Sequence, residues 1–178
     1  MKSGTDLRDE VEKYIHRRPA TVTIHETADD FFSINRGDVL LLDGSYYVIS
    51  GNARERSFGL DDEPKYWVKH GYEVATGRRK VIKMVFLEQF DLRYGGHTIR
   101  CFRSPAKEGR ALKSVEGNPC FMQGRTTVTE ENSEVRIIDY ITGVTLWDKI
   151  EGSGATHEEY FHEFLPHLFP VFKNAVDD

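Results

Sequence analysis

Cysteine is nearly missing from these 178 residues: Cys101 and Cys120 are the only two, and they lie 19 positions apart. Such a pair excludes a disulfide-stapled scaffold and a zinc site built on two-residue cysteine spacing, and it sets a reducing, cytoplasmic location as the expectation. Long apolar runs are missing as well. The longest, Val39 to Leu42 and Val81 to Leu87, fall far short of the roughly 18 residues that cross a bilayer, so no membrane partner is expected. No apolar stretch follows Lys2, which argues against a secretory signal. Nor is there an excess of positive charge. The 24 Lys+Arg stand against 29 Asp+Glu, a net of −5, whereas a domain built for nucleic acid is normally basic overall. No nucleic-acid partner is expected.

What is present is enough for a packed fold. Hydrophobic residues make up 39 % and aromatics 12 %, which suits one globular domain, or one domain with an added layer, and excludes a disordered tail. The charge is also unevenly placed. Residues 54–125 hold 15 Lys+Arg against 9 Asp+Glu, so the middle of an acidic chain is basic. That stretch either forms a solvated strand face or attracts an anion.

Periodicity divides the chain into short elements. Leu7, Val11, Tyr14 and Ile15 give one apolar face to a helix from Thr5 to Arg18, with Thr5 or Asp6 as its cap and Pro19 as its stop. Val22 and Ile24 alternate with polar neighbours, and Phe31, Phe32 and Ile34 make a second apolar patch. Asp43-Gly44, between Val39–Leu42 and Ser45–Ile49, is a hairpin signal, because a type I′ turn needs positive φ at both central residues. Residues 50–64 read as a loop bounded by Gly51 and Gly59. Tyr66, Val68 and Tyr72, a turn at residues 75–78, and the β-branched run from Lys80 to Leu87 form a second hairpin. After a break at Gly95-Gly96, Ser104-Pro105 opens a helix that Gly117-Asn118-Pro119 ends. Residues 121–129 and 135–141 form a third strand pair, and helical character returns from Thr145 and again from Thr156.

Three of these pieces carry chemistry together. Lys83 lies in an apolar strand run, where a charge is costly unless paired. Glu108 lies in the following helix, with Leu112 one turn further on the same face. The third piece is Val135-Arg-Ile-Ile-Asp139-Tyr-Ile141-Thr-Gly143. Taken singly, Lys83 and Glu108 read equally as solvated positions, with Glu116 as a fallback partner, and the third piece as an edge strand followed by a turn. In this order and spacing, from about residue 45 to 175, the chain resembles the N-terminal, ATP-binding lobe of the eukaryotic-type serine/threonine protein kinases. The resemblance implies an α+β fold with a twisted antiparallel sheet of about five strands, one packed helix, an N-terminal helix and C-terminal helices. It divides the chain into an N-terminal extension (1–40), a kinase-like N-lobe (41–143) and the helical start of a truncated second lobe (144–178).

The same resemblance implies that Lys83 holds ATP phosphates and Glu108 orients Lys83. Ile138 would back the adenine pocket, with backbone groups of Asp139 and Ile141 binding the adenine edge, Val81 packing on adenine, and Gly51 and Gly59 bounding the phosphate-covering loop. That loop departs from the family pattern, because it has few glycines between Gly51 and Gly59, and Arg54 or Arg56 would reach phosphate by side chain instead. Val81 stands where the family usually has alanine. After Ile150 there is no His-Arg-Asp and no Asp-Phe-Gly, so the chain by itself is expected not to transfer phosphoryl groups, and magnesium is expected only in a longer protein.

Two further segments bear on partners and metals. Tyr160, Phe161, Phe164, Leu165, Leu168, Phe169 and Phe172 make an apolar stripe on a helix over 156–172, which Pro166 and Pro170 should kink or shorten. A protein partner or the missing second lobe would cover it. A kinase-like lobe without ATP binding, using this helix to dock a partner, is the alternative function. His157 and His162 are five positions apart, one more than a zinc-protease helix requires, so no metal site is expected.

Overall fold

The computed structural model describes residues 4–26, 33–52, 66–85, 88–94, 96–103, 105–129, 134–154 and 156–177. Its architecture is α+β. Helix α1 (Gly4–Ile15) is followed by strands β1 (Ile24–His25), β2 (Val39–Leu42), β3 (Ser45–Asn52), β4 (Tyr66–Glu73) and β5 (Arg79–Val85). A ribbon of β6 (Glu88–Tyr94) and β7 (His97–Arg103) comes next, then α2 (Pro105–Ser114), β8 (Gly124–Val128), β9 (Glu134–Asp139) and α3 (Leu146–Ser153). The chain closes with one turn of helix α4 (His157–Glu159), a π-helical stretch (Tyr160–Phe164) and α5 (Leu165–Asp177).

The main sheet has seven strands in the order β1-β2-β3-β4-β5-β9-β8, more than the five expected, and β6 and β7 pair separately. All its pairings are antiparallel except β1 with β2. The sheet adds β1, only two residues long, beside β2, the first arm of the expected hairpin that Asp43-Gly44 turns. Both of those turn residues have positive φ, 50° and 71°, as a type I′ turn requires.

Strand alternation sorts the core into two clusters, one on each face. Ile34, Leu40, Leu42, Tyr47, Ile49, Ile82, Met84, Val135 and Ile137 form the first. The second joins Val39, Val48 and Val74 of the sheet side to Leu7, Val11 and Ile15 of α1. Helix α1 is therefore a cap on the β2–β3 end of the sheet, and Tyr14 stacks on Tyr72 with ring centroids 4.5 Å apart. Helix α2 lies on the same face at the other end, over β8 and β9, where Leu112 is buried.

Several boundaries differ from the sequence reading. Helix α1 ends at Ile15 rather than near Arg18, because His16 turns left-handed (φ 58°) while its N–H still donates to Glu12 O at 2.8 Å. Thr5 and Asp6 lie inside the helix span rather than capping it. Ser50, Gly51 and Asn52 belong to β3, not to a loop, and a register shift between Ile49 and Gly51 keeps that strand paired. Phe121 to Gln123 precede β8: the Gln123 amide donates to Val115 O and Phe121 O, at 3.0 and 3.1 Å, and so holds the turn after α2. Strand β9 stops at Asp139, which leaves Tyr140 and Ile141 outside it.

The prolines of the last helix do not end it. Leu165 N–H bonds back to Tyr160 O, five residues earlier, forming the π turn just before Pro166. Widening by one residue accommodates a position that has no N–H to give the usual bond, and the helix then runs through Pro170 to Asp177. Phe31, Phe32, Gly59, Arg54, Arg56, Phe86, Leu87 and Ser104 lie outside the described residues.

Candidate functional site

Between α1 and α2, the middle of the sheet presents one row of side chains. Alternation puts Val81 and Lys83 of β5 on the face that carries both helices. Their cross-strand neighbours are His70 and Val68 on β4, and Ile138 and Arg136 on β9. Pro105 starts α2, and Glu108 sits in its first turn, where an acidic side chain suits the helix dipole. From there it reaches the sheet. Lys83 Nζ donates to Glu108 Oε2 at 3.1 Å, and Arg136 Nη1 lies 3.0 Å from the same oxygen. Exposed Glu116, the alternative partner, lies beyond the end of α2.

Gly109 faces β8 and β9 across this approach. A Cβ there would stand 3.1 Å from Thr126 Oγ1 and 3.3 Å from Glu134 Oε2, so the bare backbone lets α2 lie flat on β8 and β9. A glycine inside a helix costs about 1 kcal/mol relative to alanine, which the close approach offsets.

The three charged side chains differ in exposure. Arg136 is 2 % exposed, whereas Lys83 and Glu108 are 25 % and 39 % exposed. A guanidinium withdrawn from water must be compensated, and Glu108 does this from the helix. Two cations directly opposite each other on neighbouring strands repel, so the carboxylate between them also makes the β5–β9 register tolerable.

Sequence reasoning expected Lys83 and Glu108 to meet, and they do. Val81 and Ile138 are also brought together, as direct cross-strand partners and both buried. Gly51 is opposite His70, at the far side of β4 from Val81. Asp139, expected to offer its backbone to an adenine edge, is the last residue of the β9 ladder: its N–H donates to Gln123 O at 2.9 Å, and its carboxylate is bonded to Lys80. Ile141 lies past the strand and is 66 % exposed.

Two features of the row were not read from the sequence. Arg136 is the first; its position two residues before Ile138, on the face that Lys83 occupies, was the available signal. The second is a ring cluster at the Arg79 end of the row. Tyr140 packs edge-on against His70 with centroids 5.4 Å apart, and the Arg79 guanidinium lies 3.8 Å from the Tyr140 ring centre. Burial holds the His70 imidazole below its ordinary pKa, and the nearby Arg79 charge adds to the effect.

Among the described residues no group of three or more His, Cys, Asp or Glu could hold a metal ion, and no helix is long and apolar enough to cross a membrane. In comparisons with known proteins, no family model matches the chain and no curated protein is a significant match.

Proposed function

We propose that the face between α1 and α2 binds a nucleotide as the N-lobe of a serine/threonine protein kinase-like protein does, with Lys83 meeting the phosphates and Glu108 orienting Lys83. The observation that carries this reading is the Lys83–Glu108 contact itself: side chains 25 residues apart in sequence, one on the sheet and one on the helix, meet at 3.1 Å. The Val81–Ile138 pair beside it supplies an apolar floor for a base, and the Lys83 ammonium suits phosphate. Ile141, outside the ladder, offers backbone groups to the base edge. The proposal concerns binding of ATP and not transfer, since the sequence has neither a His-Arg-Asp nor an Asp-Phe-Gly segment.

Titration with ATP, with and without magnesium, tests it. Saturable binding that weakens about tenfold or more in Lys83→Met is the expected result. Equal affinity of the variant and the unaltered chain would count against Lys83 as the phosphate ligand.

A second reading is favoured by the C-terminal helix, where Phe161, Phe169, Val171 and Phe172 are all exposed. On that reading the lobe is a docking module that binds no ATP and uses this face for a protein partner. It predicts self-association or complex formation, and a clean monomer by light scattering at high concentration opposes it.

A further inference from the structure

We infer that the exposed phenyl row of the C-terminal helix is an isologous interface, on which a second copy of this chain lays the same helix antiparallel, with Lys173 of each copy beside Glu158 of the other. The inference rests on the docking reading above and names the partner of that face.

The π turn sets the row. From His157 to Asp177 the chain is one run of helix, and within it Leu165 N–H bonds back five residues to Tyr160 O. Two α-helical turns take about seven residues, and the extra residue held in the π turn stretches that to eight. Phe161 and Phe169, eight positions apart, therefore share a face that a regular helix would split, and Phe172 adds the next turn. All three are more than half exposed, at 58, 63 and 59 %. The neighbouring side of the helix is used within the chain, where Phe164 stacks with Tyr160 and takes Lys149 of α3 at 5.9 Å from its ring centre.

Charge complementarity selects the occupant. Glu158 and Lys173 are fifteen positions apart, which with the same extra residue comes to about four turns. Both flank the row on one side, one at each end, and both are exposed. A parallel pair of such helices would set like charges together at both ends. Turned antiparallel, Phe161 lies opposite Phe172 of the second copy, and a Lys173 comes beside a Glu158 twice in each dimer. Three rings of 150–250 Å² each, about 60 % exposed, leave roughly 350 Å² per copy to cover. A standard interface covers about 800 Å² per partner, so the dimer is expected to be weak, with a Kd of about 10–100 μM.

Sedimentation equilibrium of the full chain, from about 1 to 500 μM at low ionic strength, tests this. The unaltered chain is expected to show a reversible monomer–dimer equilibrium and no larger species, since an isologous pair closes on itself. Phe169→Glu is expected to raise the dissociation constant about tenfold or more, with helix content by circular dichroism unchanged because the ring is exposed. Lys173→Glu and Glu158→Lys each set like charges together twice per dimer and should weaken it about threefold or more, and the double variant carrying both should return to within about twofold of the unaltered chain.

A dimer lost in Phe169→Glu but indifferent to both charge reversals overturns the antiparallel pairing and leaves the docking reading standing. A dimer that survives Phe169→Glu at full strength uses another face and overturns the inference, as do assemblies beyond the dimer. A chain that stays monomeric across the whole range overturns it and counts against the docking reading as well. Should Phe169→Glu not fold, the charge reversals decide: weakening by each with recovery in the double variant supports the pairing, and no change refutes it.

Discussion

Arg125, on the last strand of the seven-stranded sheet, donates to the hydroxyl of Tyr47 on the third, at 3.0 Å and across 78 residues of sequence. The same guanidinium reaches the Asp43 carboxylate in the β2–β3 turn, and the Tyr47 hydroxyl donates onward to Glu73 Oε1 at 3.2 Å. The sheet is therefore curled, with its β8 edge drawn back toward the β2–β3 hairpin around the cluster that contains Tyr47, Ile49, Val135 and Ile137.

Tyr47→Phe keeps the ring in that cluster and removes the hydroxyl that links Arg125 to Glu73. A hydrogen bond to a charged partner is worth about 1.5–3 kcal/mol. Because Arg125 is exposed and can rehydrate, a loss near the lower end, about 1.5 kcal/mol, is expected from urea unfolding. The variant should also change alkaline behaviour. Burial raises the Tyr47 pKa above its ordinary value of 10.0, partly opposed by the Arg125 charge. A phenol that holds its proton more tightly when folded contributes stability below pH 10 that is lost as the pH climbs toward the folded value. The unaltered chain should lose stability above about pH 10 more steeply than Tyr47→Phe.

At the acid end the sign reverses, and His70 is the group to follow. Its pKa is lowered from 6.5, first by burial and then by the Arg79 charge. The folded state disfavours the imidazolium, so the unfolded chain takes up more protons as the pH falls below 6.5, and stability declines from there toward the folded value. The histidine resonance of His70 in NMR titration is expected below the ordinary range. Thermal unfolding from pH 8 to pH 5 should fall less in His70→Asn than in the unaltered chain, and equal slopes would show that His70 does not carry the effect.

Local signals located most of the elements because they act over a few residues. Asp43-Gly44 turns its hairpin, Pro105 opens α2, and the alternation around Val81 and Lys83 marks β5. Lys83 and Glu108 were legible as a pair because one costly charge inside a strand run demands a partner. The β6–β7 ribbon was missed for a reason that can be named: Gly95-Gly96 was read as a break before a helix, although Phe90, Leu92 and Tyr94 alternate on one side of it and Ile99 and Cys101 on the other, as a hairpin requires. Curling through Arg125 and Tyr47 leaves no local trace, since its partners are distant in sequence. The burial of Arg136 followed only from register, once Val81 was paired with Ile138.

Close backbone approach at β8 gives a strong stability prediction. A Cβ on Gly124 would stand 2.5 Å from Ile137 O and 2.8 Å from Ile138 Cα, and both are backbone atoms that cannot turn aside. Gly124→Ala must push β8 away from β9 or be expelled, at a cost of about 2–3 kcal/mol. Gly109→Ala meets a side-chain hydroxyl at 3.1 Å instead and should be tolerated far better. Comparable urea midpoints for the two variants would show that β8 is not held as tightly against β9 as these distances require.

Glu108 should matter more for folding than Lys83, although the two form one contact. Lys83 is partly exposed, and removing one partner of such a pair is worth about 0–1 kcal/mol. Glu108 also compensates Arg136, which is buried and lies opposite Lys83 in the β5–β9 ladder. Glu108→Ala therefore removes the carboxylate that two neighbouring cations share, one of them buried, and should cost more than the about 0–1 kcal/mol of an exposed pair. Lys83→Met relieves the repulsion and keeps the Arg136–Glu108 bond. Chemical unfolding should rank Glu108→Ala well below Lys83→Met in stability, and added salt should narrow the gap by screening the exposed part of the repulsion. The reverse ranking would mean that Arg136 does not depend on Glu108.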